Sequence, residues 1–495
     1  MDAAAFDADA DARPGRPSSK LLYERLAGDV ATMIDRGALR PGDRLPSVRT
    51  YARERSVSVA TVLSAYLDLE NRGLIEVRPK SGHYVRRRAL EARPPRPPRL
   101  ALVPQRINVS DGVAGLVASM RDPAVVPLGS AQVSPDLLPI RALNRTLSSI
   151  AREASTAGAT YDAPQGLHTL RRQLARRSLT WGTSIDESEF VTTVGAMEAL
   201  HVALRATTRP GDAVAVESPA YFGVLQLLEE MGRRVVEIPT RPDVGMDLIA
   251  LEEALKKAPI KACIAIPNFD NPMGSLMPDD AKEKLVRLLA RHDAPLIEDD
   301  IYGDLAFDGS RPRPAKAFDR DGRVLLVGSV SKTLAAGYRV GWIAAGRYQQ
   351  QVERLKFSQS VSTPTLLQMA VAEYLDSGGY DRHLRQLRAH AASQVQRFRE
   401  GVLACFPEGT RVSEPKGGFF LWVEMPHAVD ALALQAAALQ RGIAIAPGPI
   451  FSARARYGSC IRLSCGYPWS DRFDAAVRTL GELADTAVRK ARVVG

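Results

Sequence analysis

Cysteine is scarce: four in 495 residues (263, 405, 460 and 465), none in a C-x-x-C pair. With no secretion signal, these read as reduced thiols rather than disulfides or a zinc site. No stretch of about 18 apolar residues occurs, which excludes a membrane-spanning helix. The opening residues, MDAAAFDADADARPGRPSS, lack the apolar core of a signal peptide. Residues 1–18 therefore read as a disordered tail on a cytoplasmic protein. Internal repeats are absent too. What remains is an ordinary soluble composition, 45% hydrophobic and 25% charged, on a chain too long for one core.

Charge is unevenly placed. Between Ser19 and Arg99 there are 17 Lys/Arg against 9 Asp/Glu, while the whole chain carries +10. A small basic domain on a nearly neutral large one points to a polyanionic partner. Within 19–86, KLLYERLAGDVATMIDRG carries a helical stripe at Leu22, Leu26, Val30, Met33 and Ile34 and ends at Gly37. Ser47 can cap a short helix in SVRTYARER. Ser58 can cap the next, with Val62, Ala65, Tyr66 and Leu69 on one face. LIEVRPKSGHYV then reads as strand, turn and strand. Three helices and a β-wing make a winged helix-turn-helix. Its third helix suits a major groove, with Ser58 and Thr61 toward phosphates and Arg49 and Lys80 as cations. The alternative is a small dimerisation module with basic faces.

This stretch resembles the GntR family of DNA-binding domains. The resemblance rests on PGDRLPSVR, on VS-x-x-TV-x-x-AY-x-x-L-x-x-x-GLI and on SG-x-x-V. Val59 stands where that family usually has arginine, so the family's operator does not carry over.

Residues 87–125 read as a linker. RRRALEARPPRPPR holds six arginines and four prolines, a composition that favours an extended, semi-rigid spacer. From 126 to 495, apolar strand-like runs (DAVAVES, KACIAIPN, APLIEDD, RVLLVGSV, VGWIAAG) alternate with helices. That is an α/β fold with a mostly parallel sheet. GGFFLWVEM, GIAIAPG and CIRLSCG suggest a smaller α+β lobe.

Within this region SVSKTLAAGYRVGW sets Lys332 between hydroxyl residues and seven positions before Arg339. Alone the motif is weak, since most lysines are solvated. Its company in chain order raises it. Gly195, Ala196 and Met197 open a helix whose bare N–H groups suit an anion. Tyr221 offers a ring, Asn271 sits in a turn, and Asp299 and Tyr302 follow a strand. Ser329, Lys332, Arg339 and Arg462 complete the series. Pyridoxal 5′-phosphate (PLP) needs such groups. Lys332 would bind the aldehyde, and Asp299 the pyridine nitrogen. Asn271 and Tyr302 would meet the ring phenolate, and Tyr221 would stack. Ser329, Arg339 and the 195–197 amides would hold the phosphate. Arg462 could grip a substrate carboxylate.

The region resembles the class I aminotransferases of the fold type I PLP family through NP-x-G, DD-x-Y, S-x-SK-x-x-x-x-G-x-R-x-GW and the late RLS arginine. Met273 departs from the usual threonine. The resemblance implies that Tyr161 reaches the phosphate of a neighbouring subunit, hence a homodimer with shared sites. The two parts together resemble the MocR subfamily of bacterial transcription regulators. That resemblance implies a PLP-dependent regulator binding double-stranded DNA and sensing an amino compound, or PLP itself, through an aldimine at Lys332. An active aminotransferase acting on an α-amino acid and a PLP-level sensor regulating vitamin B6 synthesis are the other readings.

Overall fold

The computed structural model describes residues 22–35, 38–39, 43–72, 74–78, 81–85, 93–110, 112–113, 116, 122–153 and 156–494. The tail at 1–18, Gly37 and Lys80 lie outside the described residues. The chain divides into two compact units, Met1–Ala89 and Leu90–Gly495.

In the smaller unit, helices α1 (Leu22–Asp35), α2 (Val48–Glu54) and α3 (Val59–Asn71) precede a hairpin of β1 (Ile75–Arg78) and β2 (Gly82–Val85). Ser47 Oγ accepts from Thr50 N at 3.2 Å and Ser58 Oγ from Thr61 N at 3.0 Å, so both helices start on a capping hydroxyl. Val62, Ala65, Tyr66 and Leu69 are buried on α3. The Tyr66 hydroxyl donates to Pro46 O at 2.9 Å and pins the turn before α2. The stripe expected on α1 forms at Leu26 and Val30, which are buried, and at Ile34, which packs against the same core, and is corrected at its edge. Leu22 and Met33 are exposed, and the buried face is Leu26, Ala27, Val30 and Ala31. The small alanine side chains let α1 lie close on α3, which turns the buried face toward them.

In the larger unit, 93–110 departs from the spacer reading of 87–125. Val412 N donates to Arg93 O at 3.0 Å, and Gln105 pairs its backbone with Val235. Ile107, Val109, Val113 and Leu116 are buried in a core cluster. The prolines keep 93–98 extended, but the apolar residues that follow give this stretch a surface to bind.

The principal sheet has eight strands: β4 (Phe190–Thr193), β5 (Ala213–Ser218), β6 (Arg234–Arg241), β7 (Gly245–Met246), β8 (Ile260–Ala265), β9 (Leu296–Asp299), β10 (Val324–Ser329) and β11 (Gly341–Ala344). Their order is β4-β11-β10-β9-β8-β5-β6-β7. The pairs from β10 through β6 are parallel, while β11 is antiparallel to both β10 and β4. Helices α6 (Ala196–Thr207) and α7 (Phe222–Glu230) share a core cluster with Val214 and Val216. Helices α8 (Leu248–Lys257) and α9 (Asp279–Arg291) share another with Ala213 and Ala215. Burial on both faces is why these strands read as continuous apolar runs. The remaining helices are α4 (Ile140–Glu153), α5 (His168–Thr180), α10 (Gln349–Ser360), α11 (Thr365–Asp376), α12 (Gly379–Cys405), α13 (Ala431–Leu439) and α14 (Asp471–Val494).

A smaller antiparallel sheet, β12-β13-β16-β15, joins β12 (Arg411–Val412), β13 (Phe420–Glu424), β15 (Ala446–Pro447) and β16 (Cys460–Ser464). Its core takes Val395, Phe398 and Val402 from α12 and Val477 and Leu480 from α14. Two short strands, β3 (Val126–Pro127) and β14 (Ile443–Ala444), pair in parallel beside it.

Candidate functional site

Strand direction gathers the site. β4, β5, β8, β9 and β10 all run the same way, because two antiparallel steps separate β4 from β10. Gly195, Tyr221, Asn271, Asp299 and Lys332 each lie at or just beyond the C-terminal end of one of them. Arg339 precedes β11, which starts at that same edge. Open α/β sheets bind ligands there.

Lys332 is half-buried and its Nζ donates to Ala131 O at 2.6 Å. Burial, then the nearby Arg462, pushes its ammonium down to about 8. Asp299 is buried at the end of β9, and its carboxyl is pushed up to about 7 by burial and by Asp300. Asp299 Oδ1 has no hydrogen-bond partner among the described residues. Asn271 Nδ2 lies 3.5 Å from the Tyr302 hydroxyl, and Asn271 Oδ1 accepts from Arg462 Nη1 at 3.0 Å. Arg462 is fully buried on β16. Its Nη2 donates to Gly129 O and Ser130 O, and its carbon lies 4.6 Å from the centre of the Phe420 ring. Burial lowers its guanidinium to about 10, and its Nε has no hydrogen-bond partner among the described residues.

At the other end of this edge, Gly195 (φ 78°) leads into Ala196 and Met197 at the start of α6. The φ of 78° demands glycine at Gly195, and a Cβ there would also lie 2.2 Å from the Arg339 guanidinium and force it aside. Arg339 has left-handed backbone (φ 53°), and its side chain donates to Val194 O at 3.1 Å and Ala336 O at 3.2 Å. Ser329 Oγ donates to Val340 O at 3.1 Å and accepts from Ser331 N at 3.0 Å. It is first of all the cap of the turn that carries Lys332.

Tyr161 stands apart from this group. It is 84% exposed, and no contact joins it to the other candidates among the described residues. In the smaller unit, Arg49 is exposed on α2. Ser58 Oγ and Thr61 Oγ1 lie 2.8 Å apart, and Val59 beside them is exposed.

Residues 124–477 match the family model "aminotransferase class I and II", and 22–85 match "bacterial regulatory proteins, gntR family". The uncharacterized HTH-type transcriptional regulator YdcR of Escherichia coli is 38% identical over 93% of this chain and 98% of its own length. The chain is a GntR–aminotransferase fusion of the MocR type. Solved relatives of a MocR-type chain's larger unit include the multiple substrate aminotransferase of Thermococcus profundus (27% identity, TM-score 0.72), which covers 76% of this chain and 95% of that one. Another is the α-aminoadipate aminotransferase LysN of Thermus thermophilus, solved with N-(5′-phosphopyridoxyl)-L-leucine. It shows 26% identity and a TM-score of 0.68 over 77% of this chain and all of that one. This MocR-type chain is therefore a DNA-binding regulator domain fused to an aminotransferase-like domain, in a PLP-dependent family.

The donor set of this MocR-type site fits PLP: a lysine of lowered pKa, a buried carboxylate oxygen with no partner, and a glycine cradle beside Arg339. Sequence reasoning missed 129–131, whose carbonyls hold Arg462 and Lys332. It also missed Ser331, whose Oγ lies 2.7 Å from Ser329 Oγ. The signal for the first was Gly129, where a Cβ would lie 2.9 Å from Ile445 and Leu116. The signal for Ser331 was its place one residue before Lys332.

Proposed function

We propose that this chain is a transcription regulator that holds PLP on Lys332 and senses a carboxylate-bearing amino compound there. When bound, PLP supplies an aldehyde to amines and a pyridine ring that withdraws electrons. The chain's own groups do the rest. With its ammonium at about 8, roughly a tenth of Lys332 is free amine at pH 7, enough to attack without a separate base. Asp299 Oδ1 holds the proton of the ring nitrogen. Asn271 and Tyr302 would hydrogen-bond the ring's oxygen, and Tyr221 would stack on the ring. The amides of 195–197, Ser329 and Arg339 would take the phosphate, and Tyr161 would reach it from a second copy in a homodimer. Arg462 binds the effector's carboxylate. Arg49, Ser58, Thr61 and Lys80 supply contacts to double-stranded DNA.

The observation that carries this reading is the convergence of Lys332, the unpartnered Asp299 oxygen and Arg462 at one sheet edge in a chain that also carries a GntR-type domain. An effector shifts the DNA-binding units only through its different affinity for two arrangements of the protein. The same intact set of groups supports turnover as a second reading. The test is operator binding, on fragments flanking the gene, with PLP and a panel of amino acids, beside steady-state transamination. Sequence-specific binding that responds to one amine, without turnover, supports regulation. Fast turnover with salt-sensitive, sequence-blind binding overturns it in favour of the enzyme. A response to PLP alone identifies the vitamer itself as the signal. Lys332→Ala should remove the visible absorbance of PLP-loaded protein; a band that persists in the variant and is bleached by borohydride, the mark of an imine at another amine, would displace Lys332.

A further inference from the structure

The residue after Lys332 is gripped by a helix distant in sequence. Thr333 is buried, with 2% exposure. Its carbonyl lies 2.6 Å from His383 Nε2, and its Oγ1 lies 3.0 Å from the Tyr380 hydroxyl. Both partners are buried in the first turns of α12. The Tyr380 hydroxyl donates to Asp304 Oδ2 at 2.8 Å. Arg311 joins Asp304 Oδ1, at 2.7 Å from its Nε, to Asp300, the neighbour of Asp299. Arg388, also on α12, donates to Asp304 O at 2.6 Å. A chain of buried and partly buried polar groups thus links the strand end bearing Asp299, the turn bearing Lys332, and α12.

The other end of α12 lies elsewhere. Val395, Phe398, Val402 and Leu403 form part of the core beneath the smaller sheet. One unbroken helix therefore touches the lysine's turn at one end and builds the small lobe at the other. Packing of the small lobe does not need Tyr380, His383 or Arg388, yet these polar side chains are committed to the turn and its neighbours. Burying such groups is costly unless all are satisfied, and here they satisfy one another.

We propose that Tyr380 and His383 are positioning residues for Lys332, and that α12 carries the lysine's bonding state into the small lobe. The proposal rests on PLP being held at Lys332. It identifies the regulated element as α12. When Lys332 is released by an amine, its turn relaxes and the two contacts at Thr333 change, so the first turns of α12 change with them.

The experiment uses full-length PLP-loaded protein. The pH midpoint of the visible band is measured for native protein, Tyr380→Phe, His383→Leu and His383→Gln, alongside hydrogen exchange of residues 395–403 with and without an amine. Tyr380→Phe and His383→Leu should shift the midpoint by about half a pH unit or more and should lose the amine-induced change in exchange. His383→Gln, which keeps a donor near the Nε2 position, should restore both. Thr333→Val removes the hydroxyl from the turn side and leaves α12 intact, so it must reproduce the shift even where a helix variant fails to fold. A colourless native protein would sink the PLP reading. A coloured native protein with the same midpoint and exchange in Tyr380→Phe, His383→Leu and Thr333→Val would sink only the clamp.

Discussion

Asp299 and Lys332 are both held against their solution preferences, in opposite senses. The Asp299 carboxyl is raised from 3.8 to about 7 by burial and Asp300. Its folded form binds a proton more readily than its unfolded form, so stability falls as pH rises from about 4 to 7 and the penalty is complete above that. Asp299→Asn should therefore melt higher than native protein at pH 8 when free of PLP, with the advantage vanishing below pH 4. The same variant should bind PLP more weakly, since an amide cannot hold the ring proton as a carboxylate does. Calorimetric melts across pH and an absorbance titration read the two effects. Equal melting at pH 8 would mean that Asp299 carries no burial penalty. The places of Asp299 and Lys332 at strand ends were legible in sequence because each follows an apolar run that ends in a turn. His383 was not, because its partner lies 50 residues away and a histidine in a helical run carries no sign of what it faces. Arg462 reads from the sequence as a candidate carboxylate grip. Its existing bonds to Gly129, Ser130 and Asn271 were not legible there, and they mean that an arriving carboxylate must compete for the Nη hydrogens while Nε has no partner among the described residues.

Among elements, those announced by their ends were read best. The short helix after Ser47 and the one after Ser58 begin where a capping hydroxyl precedes a periodic run, and both caps form. The edge of the α1 stripe was misread because alanine counts for little in a periodicity argument yet decides how closely two helices approach. The 93–110 stretch was misread for a related reason. Proline and arginine advertise an extended chain but say nothing of whether a surface waits for it. Ser58 supports a prediction at this scale. It accepts from Thr61 N and contacts the Thr61 hydroxyl. Ser58→Ala should destabilise the start of α3 by about 1 kcal/mol. Exchange of the Thr61 amide should then rise about fivefold, one kcal/mol being near that factor. Operator affinity should fall with it, because the same turn presents Ser58, Val59 and Thr61 outward. Unchanged exchange at Thr61 would show that the hydroxyl pair is not what holds the turn.

The molecule as a whole joins an aminotransferase-like unit to a DNA-binding unit through one covalent connection, and the aminotransferase-like side of it is fastened. After Val85 the next described residue is Arg93, whose carbonyl accepts from Val412 on β12. Arg411 Nη1 donates to Pro94 O at 3.1 Å, and Arg96 N donates to Glu424 Oε2 at 2.7 Å. The extended stretch 93–96 thus lies on the small lobe, whose core α12 completes. Movement of that lobe displaces the point from which the connection to the DNA-binding unit departs. Composition alone made this stretch an extended, semi-rigid spacer; the backbone bonds make 93–96 part of the lobe. Glu424→Ala removes the acceptor of Arg96 N and touches none of the residues around Lys332. PLP absorbance and operator affinity without effector should stay at native values. The change in operator affinity on adding the effector amine should shrink about fivefold, a loss of about 1 kcal/mol from a coupling of the usual size. Operator titrations at fixed salt, with and without amine, measure it. A variant whose amine response matches the native protein's would show that signals reach the DNA without passing through the fastened strap.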